Sequence, residues 1–194
     1  MKALVLFGHP NPNSYNGAVR DAVVTELQNT GAEVKVKDLY QMNFNPLLTV
    51  NDFQQLHAGS PPEDVKSEQD AISWADMIIM VSPVWWMSVT SMLRGYIDRV
   101  FSYGFAYQYT ATGPQGLLTG KRGLLITTSG SNQQADQHTR MTDTIRYTFT
   151  GGFFGFCGIT EADYLNLYDV VNVSDDERKQ MLEEAKNFVR SKIK

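Results

Sequence analysis

Residues 2–31 read KALVLFGHPNPNSYNGAVRDAVVTELQNTG, and three patterns follow one another along them. Residues 3–7 form a continuous apolar run ending at Gly8, as a strand buried on both faces requires. Residues 9–15 are polar and carry two prolines, so they read as a loop. From about residue 16 to 29, Ala18, Val19, Ala22, Val23 and Leu27 recur at helical spacing. Gly31 stands just beyond, where a C-terminal cap belongs. A doubly buried strand feeding a helix is the opening unit of a parallel α/β sheet.

The same alternation recurs along the chain. Residues 33–38 set Val34 and Val36 against charges and predict a more exposed strand. Residues 77–81 and 123–127 are two further apolar strands, and residues 159–167 supply the last. Helices are predicted from Ser60-Pro61-Pro62-Glu63, read as a capping box, to about residue 75, and over residues 92–101. Two more occupy much of 138–157 and the stretch from Ser174-Asp175-Asp176-Glu177, a second capping box, to about residue 191. Residues 39–60 lack clear periodicity and read as a long excursion, while 105–109 has the aromatic alternation of a short strand or hairpin. The expectation is a doubly wound α/β fold with a five-stranded parallel sheet, formed by residues 1–194 as one domain.

Composition narrows the function classes. The 42% apolar and 20% charged fractions are those of an ordinary globular chain. A net charge of −4 gives no basic footprint for nucleic acid. No run of about 18 apolar residues marks a membrane span, and no signal peptide is read at the N-terminus, so a cytoplasmic protein is expected. The single cysteine, Cys157, lies in an apolar run and reads as a packing thiol; no metal-ligand set is recognised.

In an open α/β sheet, ligands bind beyond the carboxyl ends of the strands. Those ends lead here into residues 9–16, 82–91 and 127–135. Of 21 acidic residues none precedes Asp21, and between Asp76 and Asp136 there is only Asp98, so all three loops are free of carboxylates. An anionic ligand needs that, because a nearby carboxylate would repel it. The first loop ends at a helix N-terminus, whose free N–H groups can hold phosphate, with Ser14, Asn16 and His9 as further polar groups. The alternative is that Ser14 or Asn16 only caps the helix. Neither G-x-x-x-x-G-K-[ST] nor G-x-G-x-x-G is present. In the second loop Pro83-Val84-Trp85-Trp86-Met87 puts two adjacent indoles after a strand; neighbours there point oppositely, so at least one faces a pocket or a partner. The third, Thr127-Thr128-Ser129-Gly130-Ser131, offers small residues and amides to the edge of a planar ligand. A phosphate cradle, an aromatic wall and an amide-rich edge together suit a flavin.

At these residues the sequence resembles the NAD(P)H:quinone oxidoreductase family, DT-diaphorase and its short bacterial relatives. The resemblance runs through Gly8-His9-Pro10, Ser14-Tyr15-Asn16, residues 38–46, Glu68-Gln69, Pro83-Val84-Trp85-Trp86, residues 93–101, Gly104-Phe105-Ala106-Tyr107, Thr127-Thr128-Ser129-Gly130 and Phe156-Cys157-Gly158. It implies a flavodoxin-like three-layer sandwich, a homodimer, and hydride transfer from NADH or NADPH through flavin to a quinone-type acceptor. Carried over by residue, His9, Ser14, Tyr15 and Asn16 would bind the flavin phosphates, and Gln69 would lie near the distal part of the cofactor. Pro83, Val84, Trp85 and Trp86 would flank the ring, while Thr127, Thr128, Ser129 and Gly130 would meet its polar edge. Residues 38–46 look most like FAD-binding members, with FMN, used by several short bacterial relatives, as the alternative.

The third loop departs from the DT-diaphorase pattern. Ser129 stands in place of a glycine, and Gln133-Gln134-Ala135 falls where that pattern has a tyrosine. His138 lies near its histidine and is the candidate acceptor-side catalytic residue beside Ser129 and Gly130; its other reading is an exposed residue at a helix start. Two other functions fit the same scaffold: an ancillary flavoprotein subunit of a potassium efflux system, and a one-electron carrier.

Overall fold

The computed structural model describes residues 1–193. Strands β1 (Lys2–Phe7), β2 (Glu33–Asp38), β3 (Met77–Pro83), β6 (Arg122–Thr128) and β7 (Glu161–Leu167) form a single parallel sheet in the order β2-β1-β3-β6-β7. The chain runs outward from β1 in one direction, then crosses back to β3 and runs out in the other. The switch in direction falls between β1 and β3, and opens a crevice at their carboxyl ends. The remaining strands, β4 (Tyr107–Thr110) and β5 (Gly113–Gly116), form a separate antiparallel hairpin.

Burial follows strand position. Every residue of β3 is buried, whereas edge strand β2 alternates charges with a half-buried Val34 and an exposed Val36. One sheet face carries Ala3, Val5, Phe7, Ile79, Val81 and Ile126, and packs against α1 (Tyr15–Asn29) and α7 (Asp175–Arg190). The opposite face carries Leu4, Leu6, Ile78, Met80 and Leu125. It is covered by α3 (Glu63–Trp74), α4 (Ser91–Val100), α6 (Met141–Arg146) and the π-helical turn Tyr147–Gly155 that continues α6. Those are the three layers of the expected sandwich. Among the described residues no helix is long and apolar enough to cross a membrane.

Local chemistry explains most boundaries. Gly31 has φ +80 just past α1, the left-handed cap expected of it. The Ser174 hydroxyl accepts from Glu177 N while the Glu177 carboxylate accepts from Ser174 N, completing the box at α7. Three expectations change. Ser60 does not cap α3: Pro62 occupies the cap position without a side-chain bond, and Glu63 and Asp64 favour the positive end of the helix dipole instead. Residues 39–60 contain α2 (Val50–His57), opened by a Thr49–Asp52 capping box; periodicity hides it because Val50 and Phe53 point outward. The predicted helix over 138–157 begins earlier, as α5 (Gln133–Thr139) capped by Asn132, and breaks at Arg140 with φ +52. Asp136 stabilises the break, since its carboxylate accepts from Thr142 N in the first turn of α6.

The excursion is pinned down by one side chain. Arg99 of α4, only 4% exposed, donates to Asp52 Oδ1 at 2.6 and 3.1 Å, to Asp64 Oδ2 at 2.6 Å and to the Asn45 carbonyl at 2.9 Å. Gly95 lets this segment lie on the helix, because a Cβ there would sit 2.2 Å from the Pro46 carbonyl oxygen.

Candidate functional site

The crevice is framed by the loops after β1, β3 and β6. Gly8 N donates to the Val81 carbonyl, and Thr90, the cap of α4, donates its hydroxyl to the Gly8 carbonyl at 2.9 Å. Thr90 N also donates to Ser82 Oγ. First and second loops are therefore locked together through a residue the sequence reading passed over. Its signal was a Thr at a helix start.

In the first loop, His9 Nδ1 lies 3.0 Å from both the N–H and the carbonyl oxygen of Asn11, so the ring is held against the loop backbone. The imidazole lies 5.9 Å from the Trp85 ring, bringing His9 and the aromatic wall together. Ser14 caps α1 by accepting from Gly17 N, as the simpler reading had it. That bond still leaves the N–H groups of Tyr15 and Asn16 without partners among the described residues. No acid stands in this first turn. Asn16 Nδ2 donates to Thr128 Oγ1 at 2.9 Å, and Asn16 Oδ1 is buried with no donor. Two idle amides and an orphaned acceptor fit a ligand bearing both phosphate and hydroxyl groups.

The second loop turns tightly, with Trp85 and Ser88 exchanging backbone hydrogen bonds at 2.9 and 3.1 Å. Trp86 and Met87 occupy its centre with φ +51 and +62, a conformation that costs bulky residues energy and marks functional sites. Trp86 is 99% exposed and Trp85 45%. Pro83 ends β3, and Val84 N donates to the Thr128 carbonyl, joining second and third loops.

In the third loop the side chains of Thr127 and Thr128 are buried and engaged, the former by Tyr164 and Asn166 and the latter by Asn16. Ser129 has neither of its donors to spare: its N–H donates to the Leu167 carbonyl and its hydroxyl to the Ser131 carbonyl. A direct catalytic role for Ser129 therefore does not fit this geometry. Gly130 is exposed, and its N–H has no partner among the described residues.

Three other expected site residues stand differently. The Tyr15 ring turns away to α7, where its hydroxyl donates to the Arg178 carbonyl at 2.7 Å; burial pushes its pKa up to about 12, so it stays a neutral strut. Only its backbone serves the first loop. Gln69 lies inside the α3–α4 contact, its amide committed to the Val100 carbonyl and Ser102 Oγ, both at 3.1 Å. His138 is exposed in the last turn of α5, and its imidazole makes no hydrogen bond among the described residues. Asn166, between Leu165 and Leu167, was missed; a polar side chain inside an apolar strand was its signal. Cys157 is buried, and desolvation raises its thiol pKa to about 12, which suits packing rather than nucleophilic chemistry. No three His, Cys, Asp or Glu side chains are gathered as a metal site among the described residues.

The strand order 2-1-3 followed by two more, with a ligand crevice at the switch, defines the flavodoxin-like class, and the model of the flavodoxin-like fold family matches residues 1–191. Within that class the chain belongs to the NAD(P)H:quinone oxidoreductase family. It is 35% identical over 194 residues to a Haemophilus influenzae protein described as an uncharacterized NAD(P)H oxidoreductase, covering 100% of this chain and 96% of that one. It is 32% identical over 201 residues to the ribosyldihydronicotinamide dehydrogenase [quinone] of Pongo abelii, covering 93% and 87%. The solved NAD(P)H:quinone oxidoreductase of Methanothermobacter marburgensis superposes with a TM-score of 0.88 at 29% identity, covering 98% and 96%.

Proposed function

We propose that this protein is an NAD(P)H-dependent flavoenzyme that reduces quinone-type acceptors by two electrons. The observation that carries the reading is the pair of unengaged N–H groups at the start of α1, among three loops that carry no carboxylate of their own. Bound flavin supplies the hydride chemistry between nicotinamide and acceptor. The chain's own residues bind and orient it. Backbone N–H groups of Tyr15 and Asn16, with His9 and Ser14 around them, hold phosphate; Asn16 Oδ1 takes a hydroxyl. Pro83, Val84, Trp85 and Trp86 provide the apolar wall, and Thr127 and Thr128 brace the opposite loop. Gly130 N–H is the donor for negative charge, since a backbone amide already in place stabilises it without reorganisation.

FAD is the proposed flavin, on the likeness of residues 38–46, with FMN as the competing outcome. Residues 1–194 act as one flavin-binding domain, in the cytoplasm. A homodimer is proposed as well: grooves of about 480 and 420 Å³ flank Phe101 and Tyr107, and Phe53, Tyr103, Tyr109 and Tyr147 are exposed around them. A second copy seated over both grooves would bury that apolar surface.

Purified protein is expected to be yellow, and to oxidise NADH or NADPH rapidly only when a benzoquinone or naphthoquinone is present. Heat release and chromatography will identify the flavin. A colourless protein that takes up neither FAD nor FMN sinks the proposal. His138→Ala is expected to leave quinone reduction within about twofold, because an exposed imidazole with no orienting partner is not held in a reactive geometry. A hundredfold loss in kcat with flavin retained would restore the catalytic reading of His138.

A further inference from the structure

The third loop is tied to the sheet edge by an unbroken line of buried polar groups. Strand register sets Thr127 of β6 opposite Asn166 of β7. The Thr127 hydroxyl donates to Asn166 Oδ1 at 2.8 Å, so the Tyr164 hydroxyl, also 2.8 Å away, donates to Thr127. Asn166 Nδ2 donates to Ser129 Oγ at 3.0 Å, and Ser129 Oγ donates to the Ser131 carbonyl at 3.1 Å. Each donor points the same way, from the strand edge into the loop. Thr127, Ser129, Tyr164 and Asn166 are all at most 6% exposed, so water does not compete for these bonds.

Backbone bonds complete the clamp. Ser129 N donates to the Leu167 carbonyl, Val170 N to the Ser129 carbonyl and Asp169 N to the Ser131 carbonyl. Gly130 is thereby suspended between two anchored residues, with its own N–H idle. A glycine in an open loop has more backbone freedom than any other residue, and that freedom weakens a donor meant for a fixed target. The Ser129 side chain adds to those backbone bonds a further restraint on the residue just before Gly130.

We propose that Ser129 and Asn166 are positioning residues for the flavin reaction: their hydrogen bond holds the Gly130 N–H as a fixed donor to the negative charge of reduced flavin. The proposal rests on the flavin-site reading above. It assigns the serine that departs from the family pattern a task carried out through its neighbour.

The test is the two-electron midpoint potential of the flavin-loaded protein, measured for wild type, Ser129→Ala, Ser129→Gly, Asn166→Ala and the Ser129→Ala/Asn166→Ala double variant. Neither Ser129 substitution adds an atom to the core. Each single variant is expected to lose about tenfold of the preference for reduced over oxidised flavin, a shift of about 30 mV to more negative potential. The double variant should lose clearly less than the sum of the two single losses, because both break the shared Asn166–Ser129 bond. Single-variant preferences within about twofold of wild type, or a double loss equal to the sum of the singles, overturns the proposal. A wild-type protein that binds no flavin overturns the site reading instead, so the two failures are distinguishable.

Discussion

Arg99→Ala is expected to destabilise the protein by about 3–5 kcal/mol, the range for breaking a buried ion pair by removing one partner. The Asp52 side chain is 3% exposed and Arg99's is 5%, so deletion strands a carboxylate in the interior. The same deletion frees the Asn45 carbonyl and Asp64, loosening the segment from residue 45 through α3. Urea unfolding followed by circular dichroism measures the effect. A loss below about 1 kcal/mol would mean that the pair is solvated in practice and holds nothing.

The pH dependence of that variant has a definite sign. Burial by itself raises the Asp52 pKa, but hydrogen bonds from Thr49 and Arg99 outweigh it and hold the carboxyl below its ordinary value. Its native pKa is thus depressed, so its contribution to stability is present above the unfolded value and is lost as pH falls through the native one. Without Arg99, burial is opposed only by Thr49. Acid unfolding of the variant should therefore begin at higher pH than in wild type.

Gly17→Ala is expected to weaken flavin binding by about 100-fold or more. A Cβ at this position would lie 1.9 Å from the Pro12 carbonyl oxygen and 2.9 Å from its carbon, both backbone atoms. Loop and helix must separate, which moves the Tyr15 and Asn16 amides away from residues 9–13. Hydrogen bonds to charged groups are worth about 1.5–3 kcal/mol each, and losing two gives at least that factor. Fluorescence titration with FMN and FAD reads the affinity, with circular dichroism to show that the variant is folded. A folded variant binding within about threefold of wild type would place the phosphate elsewhere.

Much of this protein is legible along the chain because the relevant physics is local. Residues 3–7, 77–81 and 123–127 announce buried strands by near-unbroken apolarity, and Gly31 by its backbone freedom and Ser174 by its hydroxyl mark helix ends. The three acid-free loops are visible as sequence, since charge exclusion needs no coordinates. The α2 helix is harder, because its apolar residues Val50 and Phe53 face outward and periodicity reports only burial.

The sequence by itself thus determined the alternating architecture, the strand ends that carry the site and the kind of ligand they suit. Tertiary structure decided which polar side chains remain free to serve it. Tyr15 turned to Arg178 across 163 residues, Gln69 was committed to Val100 and Ser102, and Ser129 was claimed by Asn166 across the β6–β7 register. A side chain's type can be read from its letter, but its hydrogen-bond partner is set by which distant strand or helix lies beside it. The apolar clustering that stacks those layers therefore decides the partner, and the pair of serine and asparagine beneath Gly130 exists only once β6 and β7 are side by side.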